Sequence, residues 1–186
     1  IRDSSVTGVQ TCALPISALS YDNMDEAFTL YVRSPSGRYK LASDEQILAA
    51  GRTAAESLVS QSSAVDQPTK VKQFFQAKLA GLGHECAAFL YLDSRFKPIR
   101  YIEQGPGTLS QASVYPREIV KTALRLNAAA LIMAHNHPSG STEPSMADLN
   151  LTKHLKNALA LIDVRLLDHV IVTAASTASL AELGQM

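Results

Sequence analysis

The chain has 186 residues, of which 46% are hydrophobic and 18% charged, and this balance suffices for one compact buried core. Lys plus Arg and Asp plus Glu both number 17, so the formal net charge is zero. Since nucleic-acid binding needs a basic surplus, we expect this chain alone not to bind nucleic acid tightly.

Two further classes are disfavoured by composition. Cys12 and Cys86 are too few for a disulfide framework or a cysteine zinc site, so we expect a reducing, cytoplasmic compartment. No apolar stretch has the length of a membrane span and no signal peptide is evident, so we expect no membrane partner.

Residues 1–17 have no starting Met and no clear periodicity. They resemble the peptide obtained when a sequencing-adapter remnant is translated at the edge of an assembled read. We therefore interpret 1–17 as a non-native segment, omit it from fold reasoning, and expect the true start to be missing or to lie near residues 18–24.

Residues 18–67 predict an N-terminal hairpin, a helix and a linker. Pro35 and Gly37 mark a turn between two short apolar runs, which is a hairpin signal. Ser43 and Gln46 have the spacing of a helix capping box. The predicted elements are strand 28–32, strand 38–41, a helix from 43 to about 60, and a polar linker at 61–67.

Strands alternate with helices over 68–186, which indicates an α/β layered fold in a single domain. Leu151, Leu155 and Leu159 recur at helical spacing, so their helix should pack on the sheet. The predicted elements are helix 70–80, strands 86–93 and 98–104, an extended piece around 110–115, helix 117–127, strand 128–135, helix 145–162 and strand 164–173.

Two histidines and an aspartate lie close together in the centre of this region. His135 and His137 end an apolar strand, and alternate strand residues share a face, so the two imidazoles can project together. A Pro-Ser-Gly turn follows, and Asp148 falls in the first turn of the next helix. Two neutral imidazoles and one carboxylate suit Zn²⁺ and leave a fourth position for water, as in catalytic zinc sites.

The same residues also fit ordinary structural roles. Ser145 and Asp148 have the spacing of a capping box, and most such pairs are only helix caps. Either histidine alone would commonly be a core or surface residue. Capping does not require two histidines just upstream, so the full set favours a metal site. The two roles are compatible because a carboxylate in the first turn is stabilised by the helix dipole.

The spacing His-x-His-x7-Ser-x2-Asp, with a glutamate on an earlier strand, resembles the JAMM motif of JAB/MPN-domain metallopeptidases. The surrounding sequence resembles the RadC-like branch, in which the residue between the histidines is usually Asn, as Asn136 is here, where the wider class has Ser or Thr. The segments that carry this resemblance are Tyr115–Glu118, Asn127–Ala130, Ala134–Gly140, Pro144–Ser145 and Leu167–Val172.

The resemblance covers about residues 68–174. It implies an MPN/JAB-like domain with a mixed, curved β-sheet flanked by helices, zinc as cofactor, and a peptide or protein tail as substrate. The helix-hairpin-helix region that precedes this domain in full-length RadC proteins is not recognisable, so we expect a short form.

Hydrolysis of an amide at zinc also requires a base. Glu85 opens the strand that should lie beside strand 128–135, and the resemblance places the catalytic glutamate here. The residue pattern alone leaves Glu85 as an ordinary strand-start residue, with Glu103 and Glu118 as alternative bases. The implied mechanism uses Ser145 as donor to the oxyanion, although capping would use the same hydroxyl.

The remaining histidines fit other roles. We interpret His169 as a core residue or, alternatively, as one that orients a metal ligand, with the core role favoured. His154 lies mid-helix and should face solvent. His84 should point away from the face used by Glu85, so it is not expected to be a ligand.

Three classes of function follow from these residues. The favoured class is a zinc metallopeptidase or isopeptidase. The second is a nucleic-acid-associated protein, as the DNA-repair label of RadC-like proteins suggests. The third is a metal-binding interaction module without turnover. The complete ligand set and Glu85 favour the first class over the third, and the neutral charge disfavours the second.

Overall fold

The computed structural model describes residues 30–60, 67–104 and 114–186. The chain divides into two compact units, residues 1–53 and 54–186, and each is described by itself. The predicted non-native segment 1–17 lies outside the described residues, as do linker positions 61–66 and most of the extended piece at 110–115.

The first unit contains the predicted hairpin. Strands β1 (Tyr31–Arg33) and β2 (Tyr39–Leu41) pair antiparallel. Gly37 has a φ of 82° and its N–H donates to the Ser34 carbonyl, so the turn needs the left-handed conformation that glycine tolerates. Helix α1 (Asp44–Ser60) begins in this unit, and the predicted capping box is confirmed by the two reciprocal hydrogen bonds between Ser43 and Gln46.

The second unit is built on a five-stranded mixed sheet, which confirms the predicted α/β class. The strand order is β4-β3-β5-β6-β7, in which β5 pairs antiparallel with β3 and parallel with β6. The elements are α2 (Pro68–Leu79), β3 (Ala87–Leu92), β4 (Pro98–Glu103), α3 (Pro116–Arg125), β5 (Ala130–Asn136), α4 (Met146–Ala160), β6 (Arg165–Val172) and β7 (Thr177–Ser179).

The central strands β3 and β5 are buried along their whole length, in keeping with sequences that are apolar except for His135 and Asn136 at the end of β5. Alternate residues of the two strands enter two separate cores. One core is completed by α2, with Phe74 and Phe75, and the other by α3 and α4, with Leu155 and Leu159 fully buried. Helices therefore cover both faces of the sheet.

Two predictions about elements need correction. Strand β3 begins at Ala87, so Glu85 precedes the strand and does not open it. The reason is a contact between distant parts of the sequence: the N–H of Cys86 donates to the side chain of Asn136, at the end of β5, and not to a backbone carbonyl of that strand. Strand β7 was not predicted, because its sequence, Thr-Ala-Ser, has no apolar run.

Every helix in the described part of the chain is too short or too polar to cross a bilayer.

Candidate metal centre

The predicted ligands meet where the C-terminal end of β5 faces the first turn of α4. His135 is the penultimate residue of β5, His137 follows the strand directly, and Asp148 lies three residues after the helix N-cap. They line a cleft of about 390 Å³ together with Glu85 and Ser145. Its apolar lining residues are Val114, Met133, Ala147 and Leu151.

The side-chain atoms of the three predicted ligands converge. His135 Nε2 lies 2.8 Å from His137 Nε2 and 3.1 Å from Asp148 Oδ1, and His137 Nε2 lies 3.6 Å from Asp148 Oδ2. One ligand atom from each residue can be chosen so that all lie within 4.8 Å of one another. The two imidazoles therefore point to the same side of the sheet, as the strand alternation predicted.

The proton position on His137 follows from its other ring nitrogen. His137 Nδ1 lies 2.7 Å from the carbonyl oxygen of Ser141, which can only accept a hydrogen bond. Nδ1 must therefore carry the proton, and Nε2 of the neutral ring has a free lone pair directed into the cleft. The turn that supplies this carbonyl passes through Gly140, whose φ is 84°.

Ser145 and Asp148 form the predicted capping box. Ser145 Oγ accepts from the Asp148 N–H at 3.2 Å, and Asp148 Oδ2 accepts from the Ser145 N–H at 2.8 Å. Burial raises the pKa of the Asp148 carboxyl, but hydrogen bonding and charge at His135 and the hydrogen bonds from Ser145 outweigh burial. The net effect holds the pKa of Asp148 well below its ordinary range, so this group is a carboxylate at neutral pH.

These contacts make the cleft suitable for a cation. His137 Nε2 and the Asp148 carboxylate both carry lone pairs, and both lie close to His135 Nε2. Acceptor atoms at such distances repel one another unless a proton or a metal ion lies between them. Two imidazole nitrogens and a carboxylate oxygen are the donor set that Zn²⁺ and other borderline divalent ions take. The residues present therefore fit the metal that the sequence predicted.

His169 lies directly behind His135 and is fully buried. Its Nε2 lies 2.7 Å from His135 Nδ1. Burial, together with the charges at His135 and His137 and against the opposing charge of Asp148, lowers the pKa of His169 to about 3, so the ring is neutral at neutral pH. His169 is thus buried, as the favoured core interpretation predicts, and it also contacts a predicted ligand, which the alternative interpretation requires.

Asn136 is a site residue whose role the sequence reasoning missed. Its side chain is buried at 3% exposure, and its Oδ1 accepts from the Cys86 N–H at 2.7 Å. Its Nδ2 donates to the His84 carbonyl at 2.9 Å and to the Leu82 carbonyl at 3.4 Å. Asn136 thus holds the backbone on both sides of Glu85. The available signal was a carboxamide at the end of an otherwise apolar buried strand.

Neither alternative base lines the cleft. Glu103 accepts a hydrogen bond from the Tyr101 hydroxyl at 2.8 Å, on the edge strand β4. Glu118 lies at the start of α3, 3.5 Å from Arg117 and 4.0 Å from Lys121. Of the three candidate bases, the structure places Glu85 alone beside the predicted ligands.

The other singled-out residues have structural positions. His154 is exposed on α4, as predicted. His84 is half-buried and does not belong to the His-His-Asp group. Cys86 is buried, and burial, aided by the charge of Glu103, raises the pKa of its thiol, which suits a small apolar core residue.

Known proteins match most of the length of this chain. The sequence profile of the RadC-like JAB domain family matches residues 65–185. A UPF0758 protein of Bordetella petrii is 49% identical over 148 residues, which are 80% of this chain and 66% of that protein. A UPF0758 protein of Methylibium petroleiphilum is 50% identical over 150 residues, 81% of this chain and 66% of that protein. The chain thus spans 66% of the length of each of these relatives. This chain belongs to the RadC-like JAB domain family.

Proposed function

We propose that this chain is a zinc-dependent hydrolase of the metallopeptidase or isopeptidase type that cleaves an amide bond in a peptide or protein tail. One observation carries the proposal. Three donor atoms, from His135, His137 and Asp148, converge in a cleft that also contains the carboxylate-bearing residue Glu85. Three protein donors are the number found in catalytic zinc sites, where one position stays open for water or substrate.

The roles divide between holding the metal and moving a proton. His135, His137 and Asp148 would hold zinc, which when bound polarises a carbonyl and lowers the pKa of water toward about 7. Glu85 lines the cleft without belonging to the donor triad, so its carboxylate would accept the proton of the attacking water. The same carboxylate then delivers that proton to the leaving amine.

The position of Ser145 bears on its predicted role as oxyanion donor. Its hydroxyl has one proton, and Ser145 Oγ donates that proton to Asp148 Oδ2 at 2.6 Å. To donate to a substrate oxygen, the hydroxyl would have to rotate away from Asp148. The contacts therefore support a role for Ser145 in orienting the Asp148 carboxylate, and the oxyanion role stays a prediction.

The lining of the cleft supports a peptide substrate. A volume of about 390 Å³ is at the small end of ligand sites, which usually enclose roughly 300–1,000 Å³. Val114, Met133 and Leu151 line the cleft together with the polar triad. An apolar side chain next to the scissile amide would bury itself against these residues, and this favours a peptide over a charged nucleotide.

The proposal is tested by combining metal analysis with substrate profiling. Protein prepared without chelator should contain one zinc per chain and should cleave members of a peptide library. Glu85→Gln should keep its zinc and lose about 10²–10⁴-fold in turnover, because it cannot accept a proton. Asp148→Asn should lose zinc as well as activity. Glu103→Gln is the matched control and should keep both.

Each contrary result has a definite meaning. Absence of any transition metal from unchelated protein would refute the metal site. Loss of zinc from Glu85→Gln would make Glu85 a ligand and not a base. Full activity of Glu85→Gln would place the base elsewhere in the chain.

A further inference from the structure

We propose that Thr152 and His169 are positioning residues that fix the tautomer of His135, so that its Nε2 carries no proton and is available to the metal. This inference rests on the proposed metal site and adds two residues to it. Neither residue lines the cleft, and both act through His135.

The argument begins at the Thr152 hydroxyl, which has two close neighbours. Thr152 Oγ1 lies 2.6 Å from the Asp148 carbonyl oxygen and 2.6 Å from His169 Nδ1. The carbonyl has only lone pairs, so the single hydroxyl proton must point at it; otherwise two acceptors would face each other at this distance. Bonding to the carbonyl four residues earlier is also common for threonine within helices. Thr152 Oγ1 is therefore the acceptor in its second contact, and His169 Nδ1 donates.

The same reasoning passes from His169 to His135. A neutral imidazole has one N–H, and in His169 that N–H is at Nδ1, so Nε2 can only accept. The group 2.7 Å from His169 Nε2 is His135 Nδ1, which must then donate. With its proton at Nδ1, the neutral His135 ring has no proton on Nε2, the atom that faces His137 and Asp148 Oδ1; only the charged ring, with a second proton at Nε2, can donate to Asp148.

Because they are buried, these polar groups must form their hydrogen bonds with one another. Thr152 is 1% exposed and His169 is 0% exposed, and the core on this face of the sheet is otherwise apolar. Polar groups at such depth need partners within the protein, because water does not reach them. The contacts form a closed path that leaves the backbone of Asp148, passes through Thr152, His169 and His135, and returns to the Asp148 carboxylate.

His137 needs no such arrangement, because the Ser141 carbonyl already accepts from its Nδ1 at 2.7 Å.

Replacing Thr152 by valine would remove the acceptor for His169 Nδ1–H. His169 would then keep a buried N–H without a partner or move its proton to Nε2. In the second case His135 Nδ1 becomes an acceptor, and the His135 proton moves to Nε2, the atom that must bind the metal.

The test measures zinc affinity and the tautomer separately, at one fixed and mildly alkaline pH. Zinc affinity is measured by competition with a chromophoric chelator, and ring protonation by nitrogen NMR of the metal-free protein. Thr152→Val should weaken zinc binding roughly 10- to 100-fold, as loss of such partners typically does, and should shift the His135 proton toward Nε2. Thr152→Ser keeps the hydroxyl and should restore both. Thr122→Val removes a hydroxyl that bonds to Tyr91, and it should change neither.

Two results would overturn the inference: a folded wild-type protein with the neutral His135 ring protonated at Nε2, or Thr152→Val protein that binds zinc as wild type does. The wild-type NMR measurement decides the matter even if Thr152→Val does not fold. Failure of wild-type protein to bind zinc would instead refute the proposed function, because the tautomer is read from protein without metal.

Discussion

Asn136→Ala should destabilise the protein substantially, and the cost can be worked out from three hydrogen bonds. The Cys86 N–H, buried at the site, would lose its partner, which costs about 1–3 kcal/mol. The bond to the His84 carbonyl is worth roughly 0.5–1.5 kcal/mol, and the longer bond to the Leu82 carbonyl lies at the low end of that range. We therefore expect the free energy of unfolding to fall by about 2–5 kcal/mol.

Urea denaturation of the metal-free protein measures this fall, and a second variant tests its cause. Asn136→Asp keeps an acceptor for the Cys86 N–H but places a carboxylate against two carbonyl oxygens, so it should cost at least as much as Asn136→Ala. Hydrogen exchange at the Cys86 amide should accelerate in Asn136→Ala and stay slow in folded Asn136→Asp. Asn150→Ala, at an exposed position of α4, is the control and should be near neutral. A loss below about 0.5 kcal/mol for Asn136→Ala would refute the reasoning.

Three further outcomes are expected. Leu155→Ala should lower the free energy of unfolding by about 2–5 kcal/mol, because Leu155 is fully buried between α4 and the sheet; a loss near zero in urea would mean that the core is not packed there. Burial raises the pKa of Tyr91 to about 12, whereas an unfolded tyrosine ionises near 10, so the stability from the neutral phenol is complete below about pH 10 and is lost as the pH rises toward 12. In Tyr91→Phe, the free energy of unfolding should decline less between about pH 10 and pH 12 than in wild type. An unchanged decline would contradict a raised pKa of Tyr91. Fluorescence anisotropy with duplex DNA should show weak or no binding near physiological salt, because the net charge is zero; a tight complex would favour the nucleic-acid alternative.

Much of the site could be predicted because its signals are local. The apolar run before His135, the turn after His137 and the cap at Ser145 each depend on neighbouring residues, and the structure contains all three elements. Strand alternation then placed the two imidazoles on one side, and their Nε2 atoms lie 2.8 Å apart. The parallel pairing of β5 with β6, by contrast, joins two strands that helix α4 separates in the sequence, so it is not a local signal.

The parts that were missed depend on such distant contacts. His169 meets His135 only because β6 pairs beside β5 in one register, and no local pattern marks that pairing. The position of Glu85 ahead of β3 depends on a bond between residues 50 positions apart, Cys86 and Asn136. Strand β7 has three residues and is defined by its pairing with β6, not by its own composition.

The tripeptide His135-Asn136-His137, at the end of β5, connects two parts of the proposed chemistry: the metal donors and the base. Its outer residues point toward the cleft, and its central residue reaches the backbone that carries Glu85. A one-residue slip of β5 would exchange the two sides and displace the metal donors and the base together. Because these contacts run through Asn136, the distance between the metal donors and the base should be unaffected by changes of length in the turn between β3 and β4. Replacing Asn136, by contrast, removes the side chain that fixes the backbone on both sides of Glu85.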